Sequence, residues 1–418
     1  MVLMLPITTD NGARLAAILP TGLTALARGL GSDGGSALTA ALGIDHAVHG
    51  DAARTVAADL PAIRSFVMIV VDGLGASNLR ASKSYARTLT ALAPKRIETV
   101  IPSTTGAALT TLVTGRLPAE HGLVGYAIRH PHLGIVNTLK GWSGITDPGA
   151  WQQATPLFTQ AAAIGARAVA IGRPAHAGGG LTASILAGAE YLGGQTMADR
   201  FAITSRLLGR GEPILAYLYI DELDRVAHSD GWQSPLWQRR LEDLDAELAA
   251  FLRTLPADVG VVLTADHGMV DVAPDHYLLL PDASLEGVTA IGGEARHRSL
   301  YLEDPAAAAE HAAQVARLLG KQAWVGTRDE AVAAEWFGGR LRPEIADRLG
   351  DVLIVARGSY AFLSETETDV SEMVGQHGGI SDEERGVPLA LAGALAGSAF
   401  ASRVGAVAQL SGERPTPS

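Results

Sequence analysis

Side chains that bind metal ions occur in four short motifs spread along the chain. The motifs are VVDG, DELDRVAH, TADHGM and GQHGG, and the candidate ligands in them are Asp72, Asp224, His228, Asp266, His267 and His377. Carboxylates and imidazoles are the groups with which hydrolases hold zinc and similar divalent cations. With three acids and three histidines, the sequence predicts a site for two metal ions.

A hydroxyl-rich segment, PSTTGAALTTLVTG, offers the nucleophile that such a site would activate. Ser103, Thr104 and Thr105 come directly before a helix predicted over residues 106–115. A hydroxyl at a helix N-terminus faces the positive end of the dipole and free N–H groups, which favour an alkoxide and bind phosphate oxygens. The same residues are ordinary N-caps, so this segment alone does not decide. Together with the six ligands, it predicts a two-metal hydrolase of a phosphorus ester.

Each motif also has a simpler interpretation. Asp72 precedes a glycine, and Asp-Gly after a strand is often only a turn. The four-residue spacing of Asp224 and His228 puts both on one face of a helix, but a solvated surface pair has the same spacing. His377 lies between glycines in GQHGG and could be an ordinary loop histidine. The adjacent pair Asp266-His267 is more specific, because two ligand-type residues ending an apolar strand are unusual in a plain turn.

The elements that must position these residues alternate between strands and helices. Apolar runs predict a buried strand over 65–73, a strand that runs into a loop over 213–224, and a strand that ends in polar residues over 260–268. Periodic patterns predict helices over 106–115 and 235–255. Such alternation indicates an α/β fold with a mostly parallel sheet between helices. Ligands collect at the carboxyl ends of parallel strands, so the predicted acids should meet there.

The two ends of the chain and one internal region follow other patterns. The first sixty residues predict a lead-in of helix and loop, with a pair of helices broken at Pro20. Residues 277–342 predict a small α+β cap inserted into a single catalytic domain that spans 1–418. Residues 351–358 predict a late strand.

The composition excludes several classes of protein. The 418 residues are 47% hydrophobic and 18% charged, which indicates a large folded core. A net charge of −11 argues against a nucleic-acid-binding surface. The absence of cysteine excludes disulfides and thiolate ligands. No apolar run is long enough to span a membrane and no signal peptide is recognisable, so we expect a soluble, cytoplasmic protein. The sequence does not indicate an oligomeric state.

In order and kind, the motifs VVDG, PSTT with VTG and PAEHG, D-x-x-x-H, ADHGM and QHG resemble the alkaline phosphatase superfamily. Within it they are most similar to the nucleotide pyrophosphatase/phosphodiesterase (type I phosphodiesterase) family, over 65–269 and around His377. The resemblance implies an α/β/α sandwich with two divalent ions, zinc being expected and manganese or iron being alternatives. It implies one ion on Asp72, Asp266 and His267 and a second on Asp224, His228 and His377.

The resemblance also implies a reaction. It assigns Thr105 as the nucleophile, which contacts the first ion and forms a phosphothreonine intermediate during cleavage of a phosphodiester or pyrophosphate bond in a small phosphorylated substrate. Two positions depart from the family. Tyr126 stands where the family usually has a phosphate-binding Asn, so we expect Tyr126 to bind substrate. Gly-Ala-Ala follows Thr105 in place of an aromatic residue that stacks on a base.

These departures leave other functions open. A phosphomonoesterase or phosphonate hydrolase on the same scaffold would need a basic residue for a dianionic group, and Arg173, Lys140 and Arg298 are candidates. An alternative of another class is a catalytically silent protein that binds metal or nucleotide. It would be expected to lack a ligand or the nucleophile, whereas all seven positions are filled.

Overall fold

A computed structural model describes residues 5–8, 10–365, 367 and 369–412. The strands are β1 (Ser65–Val71), β2 (Lys95–Glu98), β3 (Ala127–His130), β4 (Gly134–Asn137), β5 (Arg167–Gly172), β6 (Glu190–Gly193), β7 (Ile214–Ile220), β8 (Val259–Thr264), β9 (Val270–Asp271), β10 (Tyr277–Leu279), β11 (Val288–Glu294), β12 (His297–Leu302), β13 (Ala323–Thr327), β14 (Val352–Ala356), β15 (Ala361–Leu363), β16 (Gly375–Gln376) and β17 (Gly386–Gly393). The α-helices are α1 (Ala13–Gly29), α2 (Gly34–Leu42), α3 (His46–Ala58), α4 (Ala76–Ala81), α5 (Arg87–Ala91), α6 (Thr105–Thr114), α7 (Pro118–His121), α8 (Pro148–Trp151), α9 (Gly180–Ile185), α10 (Met197–Leu208), α11 (Glu222–Asp230), α12 (Pro235–Arg253), α13 (Ala308–Leu319), α14 (Arg328–Ala333), α15 (Pro343–Ala346), α16 (Asp382–Arg385) and α17 (Phe400–Ser411).

The central sheet has the strand order β2-β17-β8-β1-β7-β5-β6 and is flanked by helices. The strands from β8 to β6 run parallel, and β1, β7 and β8 are built from apolar residues that are almost all buried. Burial on both faces explains their continuous apolar runs. The predicted α/β fold with a mostly parallel sheet is confirmed. Strand β17, which pairs antiparallel with both β2 and β8, was not predicted.

The predicted break at Pro20 is wrong. Helix α1 continues through this residue, and all residues from Leu15 to Ala27 are buried. Proline removes one helical hydrogen bond, but packing on both sides of α1 holds the helix together. The Thr21 hydroxyl donates to the Ala17 carbonyl at 2.6 Å, and the Thr24 hydroxyl donates to the Pro20 carbonyl at 2.8 Å.

A second, antiparallel sheet has the strand order β11-β12-β14-β13 and packs against α13. Its own apolar core includes Leu300, Val315 and Ile354. The late strand predicted over 351–358 is β14, which belongs to this sheet, so the sheet extends beyond the range 277–342 expected for the cap. The division into one catalytic domain and an inserted cap stays a prediction. Among the described residues, no helix has the length and apolarity needed to cross a bilayer.

Candidate active site

The candidate ligands lie at the carboxyl ends of three neighbouring strands. Strand β1 lies between β8 and β7, and Asp72 follows its last residue. Asp266 and His267 follow β8, while Asp224 and His228 are one turn apart on α11, which begins just after β7. Three adjacent parallel strands therefore carry these side chains to one edge of the sheet.

Gly73 allows α11 to approach the end of β1. Its φ of +72° lies in the left-handed region, and a Cβ atom there would be 3.0 Å from the Asp224 Cα. Only glycine combines this backbone conformation with so close a contact. The Asp-Gly pair that could have been a plain turn therefore brings Asp72 and Asp224 together.

Asp72, Asp266 and His267 form a first group, whose ligand atoms lie within 4.8 Å of one another. The His267 Nε2 atom is 3.3 Å from Asp72 Oδ1 and 3.6 Å from Asp266 Oδ2. The same nitrogen is 3.1 Å from the Oγ1 atom of Thr105, which is the first residue of α6. The structure thus brings the predicted nucleophile against the first group.

The oxygen atoms of this group suit a cation. Asp266 Oδ1 accepts from the backbone N–H groups of Gly73 and His267, and Asp72 Oδ2 accepts from the Tyr219 hydroxyl. The other two oxygens, Asp72 Oδ1 and Asp266 Oδ2, are buried and accept no hydrogen bond from the described residues. Burial and the nearby carboxylates of Asp224 and Asp266 raise the pKa of Asp72 well above its usual range. A divalent ion would satisfy both oxygens and offset the repulsion.

Asp224, His228 and His377 form a second group with ligand atoms within 4.8 Å. His228 Nδ1 donates to the Gly375 carbonyl at 2.8 Å, and His377 Nδ1 donates to the Ser103 carbonyl at 3.0 Å. Because a carbonyl can only accept, each Nδ1 carries the proton and each Nε2 keeps a lone pair for a metal. The rings of His267 and His377 stack with centroids 3.7 Å apart, so the two groups are adjacent.

Two acids that follow β7 have a structural role. Asp221 and Glu222 both form ion pairs with Arg200, which is fully buried. Arg173 also pairs with Asp221, at 2.7 Å. Although burial acts to raise it, the pKa of Asp221 is lowered because of these two arginines. The ion pairs fix the start of α11, which carries Asp224.

The candidate basic residues for a dianionic group differ in their surroundings. Arg173 is engaged by Asp221, and Arg298 forms a double hydrogen bond with Glu367 at 2.9 and 2.5 Å. Lys140 is exposed on the turn after Thr138. A Cβ atom on Gly106, the residue after Thr105, would lie 2.7 Å from the Thr138 hydroxyl, so this turn is close to the nucleophile.

Other predicted residues lie around the site. Tyr126 is half-buried, its hydroxyl lies against Asn137, and its role in substrate binding stays a prediction. His121 is buried, and its Nε2 atom contacts the Thr111 hydroxyl at 3.0 Å. His297 is buried on β12, and its ring lies against the Gly378 backbone.

Two functional candidates were missed from the sequence. Tyr219 is the penultimate residue of strand β7, and its hydroxyl donates to Asp72. Glu294 ends β11 in the second sheet, yet its Oε2 atom is 3.8 Å from His377 Nδ1. The position of Tyr219 near the carboxyl end of β7 could have indicated that it lies close to the ligands. No local pattern indicates Glu294, because its contact joins residues 83 positions apart.

Comparison with known proteins agrees with this geometry. The family model for type I phosphodiesterase / nucleotide pyrophosphatase matches residues 66–380. The phosphonoacetate hydrolase of Sinorhizobium meliloti 1021 is similar in structure, with a TM-score of 0.63, 22% identity, and coverage of 83% of this chain and 97% of that one. Murine ectonucleotide pyrophosphatase / phosphodiesterase 5 has a TM-score of 0.60, 20% identity, and coverage of 78% and 87%.

The two structural likenesses establish the fold, and the family match covers most of the chain. The matched region contains Thr105 and both groups of candidate ligands. The chain therefore belongs to the type I phosphodiesterase / nucleotide pyrophosphatase family of the alkaline phosphatase superfamily, and it is a metal-dependent phosphoester hydrolase.

Proposed function

We propose that this enzyme cleaves phosphodiester or pyrophosphate bonds of a small substrate through a covalent phosphothreonine at Thr105. The observation that carries the proposal is the position of the Thr105 hydroxyl, 3.1 Å from His267 Nε2 and at the first residue of α6. A hydroxyl so placed lies beside both a candidate metal group and free backbone N–H groups.

The metal ions expected here are zinc, with manganese or iron as alternatives. Asp72, Asp266 and His267, together with Thr105, would hold one ion, and Asp224, His228 and His377 would hold the other. Imidazole and carboxylate sets of this kind suit zinc. When bound, such ions lower the pKa of a nearby hydroxyl and neutralise charge on phosphoryl oxygens.

The chain itself supplies the nucleophile and part of the phosphate site. The deprotonated Thr105 oxygen attacks phosphorus, the new P–O bond forms, and the bond to the leaving oxygen breaks. Thr104, the N-cap of α6, makes no side-chain capping bond, which leaves the N–H groups of Gly106 and Ala107 for phosphoryl oxygens. Water then cleaves the phosphothreonine, returns the Thr105 hydroxyl and releases a phosphomonoester.

Substitution of the nucleophile tests this proposal. We expect Thr105→Ala to abolish turnover of bis-p-nitrophenyl phosphate while zinc content stays near two per chain, and Thr105→Ser to retain part of the rate. Thr114→Ala is the matched control, because Thr114 is a buried threonine at the other end of α6 whose hydroxyl donates to Thr110. Full activity of Thr105→Ala, or the absence of a phosphorylated Thr105 peptide after acid quench, would overturn the assignment.

A second candidate is a phosphonate hydrolase or phosphomonoesterase. The exposed Lys140 favours it, because Lys140 belongs to the same turn as Thr138 and Leu139, which lie close to Gly106. A cation there could bind an acidic group attached to the phosphorus, and the small residues after Thr105 provide no aromatic platform for a base. Of the solved relatives, one is a phosphonoacetate hydrolase. The ratio of kcat/KM on p-nitrophenyl phosphate, phosphonoacetate and bis-p-nitrophenyl phosphate separates the two functions. Lys140→Gln should lower only the rates on the dianionic substrates.

A further inference from the structure

The turn between β11 and β12, hereafter the 294–297 turn, joins the second sheet to the candidate active site. It consists of Glu294, Ala295, Arg296 and His297. All four residues are buried or nearly so. Glu294 and His297 contact the segment that carries His377, and Arg296 reaches that segment through Glu384. A turn on the rim of a separate sheet would ordinarily face solvent. Its burial against a candidate metal ligand therefore needs an explanation.

Glu294 makes the closest approach. Its Oε2 atom is 3.8 Å from His377 Nδ1, the nitrogen that donates to the Ser103 carbonyl. Its Oε1 atom is buried without a hydrogen-bond partner among the described residues. The Thr104 hydroxyl, next to the nucleophile, also lies against this carboxyl group. Glu294 thus touches both the ligand His377 and the start of α6.

Gly378 leaves room for this carboxylate because it has no side chain. It has a φ of +104°, and a Cβ atom at this position would lie 2.3 Å from Glu294 Oε1. Gly378 also forms an isolated antiparallel bridge with Ser103. The Ser103 hydroxyl donates to the Gly379 carbonyl at 2.7 Å. Glu294 therefore packs against the point where the His377 segment and the nucleophile segment are joined.

Arg296, on the other side of the turn, is linked to the His377 segment through Glu384. Its guanidinium binds both carboxylate oxygens of Glu384, at 2.6 and 2.8 Å, and both side chains are fully buried. Glu384 in turn accepts from the Gly379 N–H at 2.8 Å. The second sheet is therefore attached to the His377 loop at two points: Glu294 packs directly against Gly378, and Arg296 reaches Gly379 through Glu384.

We infer that Glu294 is a positioning residue for the second metal group, through which the second sheet sets the affinity of the site. A carboxylate behind a ligating histidine orients the ring and increases its attraction for a cation. This inference rests on the metal site of the proposed function, but not on the covalent step. Loss of such an outer partner typically weakens metal binding by about 10- to 100-fold.

The test measures zinc binding to the metal-free full-length protein by competition with a chromophoric chelator. A His228→Ala variant identifies which of the two zinc equivalents belongs to the second group. We expect Glu294→Gln and Glu294→Ala to weaken that equivalent by about 10-fold or more and to leave the equivalent on Asp72, Asp266 and His267 unchanged. Glu286→Ala is the matched control, because Glu286 is an exposed acid just before the same strand, β11.

The outcomes are separable. Unchanged binding of the second equivalent in Glu294→Gln, or equal weakening in Glu286→Ala, would overturn the inference. So would a wild-type protein that binds no zinc at the second group. Glu294→Gln preserves the side-chain shape, so it decides the question if Glu294→Ala does not fold. Because no substrate is present, the result does not depend on whether Thr105 forms an adduct.

Discussion

The hydrogen bond from Tyr219 to Asp72 leads to a quantitative prediction about the first metal group. The Tyr219 hydroxyl donates to Asp72 Oδ2 and leaves Asp72 Oδ1 directed toward His267 Nε2, at 3.3 Å. Tyr219→Phe removes this donor and keeps the ring. The buried carboxylate then loses both a partner and the contact that sets its orientation.

The expected magnitude follows from the charge of the acceptor. A hydrogen bond to a charged group contributes about 1.5 to 3 kcal/mol. Since 1.36 kcal/mol corresponds to a factor of ten, its full loss from the metal-bound state alone would weaken binding by about 10- to 150-fold. The bond also exists in the metal-free protein, so only part of its energy affects metal affinity. We therefore expect Tyr219→Phe to weaken the first zinc equivalent by about 10-fold.

Chelator competition measures this change directly, with an Asp266→Ala variant to identify the first equivalent. Tyr217→Phe is the matched control, because Tyr217 is buried on the same strand and stacks with Tyr219 at a centroid distance of 6.1 Å. Wild-type affinity in Tyr219→Phe would refute the reasoning. An equal loss in Tyr217→Phe would also refute it, since it would show a general effect of strand β7.

Three further predictions concern the stability of the fold and the close contact between α11 and the end of β1. Arg296→Met leaves the Glu384 carboxylate buried without its cationic partner, and should lower the free energy of unfolding in urea by about 3 to 5 kcal/mol. The double variant that also carries Glu384→Met should recover most of this lost stability. Burial, with a smaller effect of a nearby arginine, lowers the pKa of His121 from 6.5 to about 3, so the folded state loses stability as pH falls below 6.5. The free energy of unfolding should fall by about 2 kcal/mol between pH 7 and pH 5 because of this group, and His121→Gln should flatten the dependence of stability on pH. Gly73→Ala forces alanine to a φ of +72° beside Asp224, and should cost about 1 to 3 kcal/mol and weaken zinc binding.

Each of these has a clear contrary result. If Arg296→Met has the same urea midpoint of unfolding as the wild type, the buried ion pair does not stabilise the fold. If His121→Gln keeps the wild-type slope of stability against pH, other groups cause the acid sensitivity. If Gly73→Ala binds zinc normally, the close approach of α11 to β1 does not position the second group.

Much of the site was predictable because its residues follow strong local patterns. Asp72 and Asp266 each follow an apolar, β-branched run, and such runs are recognisable as buried strands without any tertiary information. The local pattern left Ser103, Thr104 and Thr105 open as hydroxyls at the start of a predicted helix, and only the family resemblance singled out Thr105. Because ligands gather at the carboxyl ends of parallel strands, these motifs could be predicted to form one site, although the chain separates them by up to 194 residues.

The rest depended on contacts that leave no local trace. Pro20 should break a helix, but packing against the sheet outweighed the lost hydrogen bond. Arg173 and Arg298 carry the charge that a phosphate site needs, yet both are paired with carboxylates from distant segments. Strand β14 has the apolar pattern of a central strand and instead pairs in the second sheet.

The sequence by itself determined which residues could do chemistry and that strands and helix starts would present them, because residue type and periodicity are local properties. Only the tertiary structure decided that Tyr219 would hold Asp72 and that Glu294, from another sheet, would lie behind His377. The physical reason is that strand order and the docking of one sheet on another are set by the summed packing of the whole chain. No short segment contains that information.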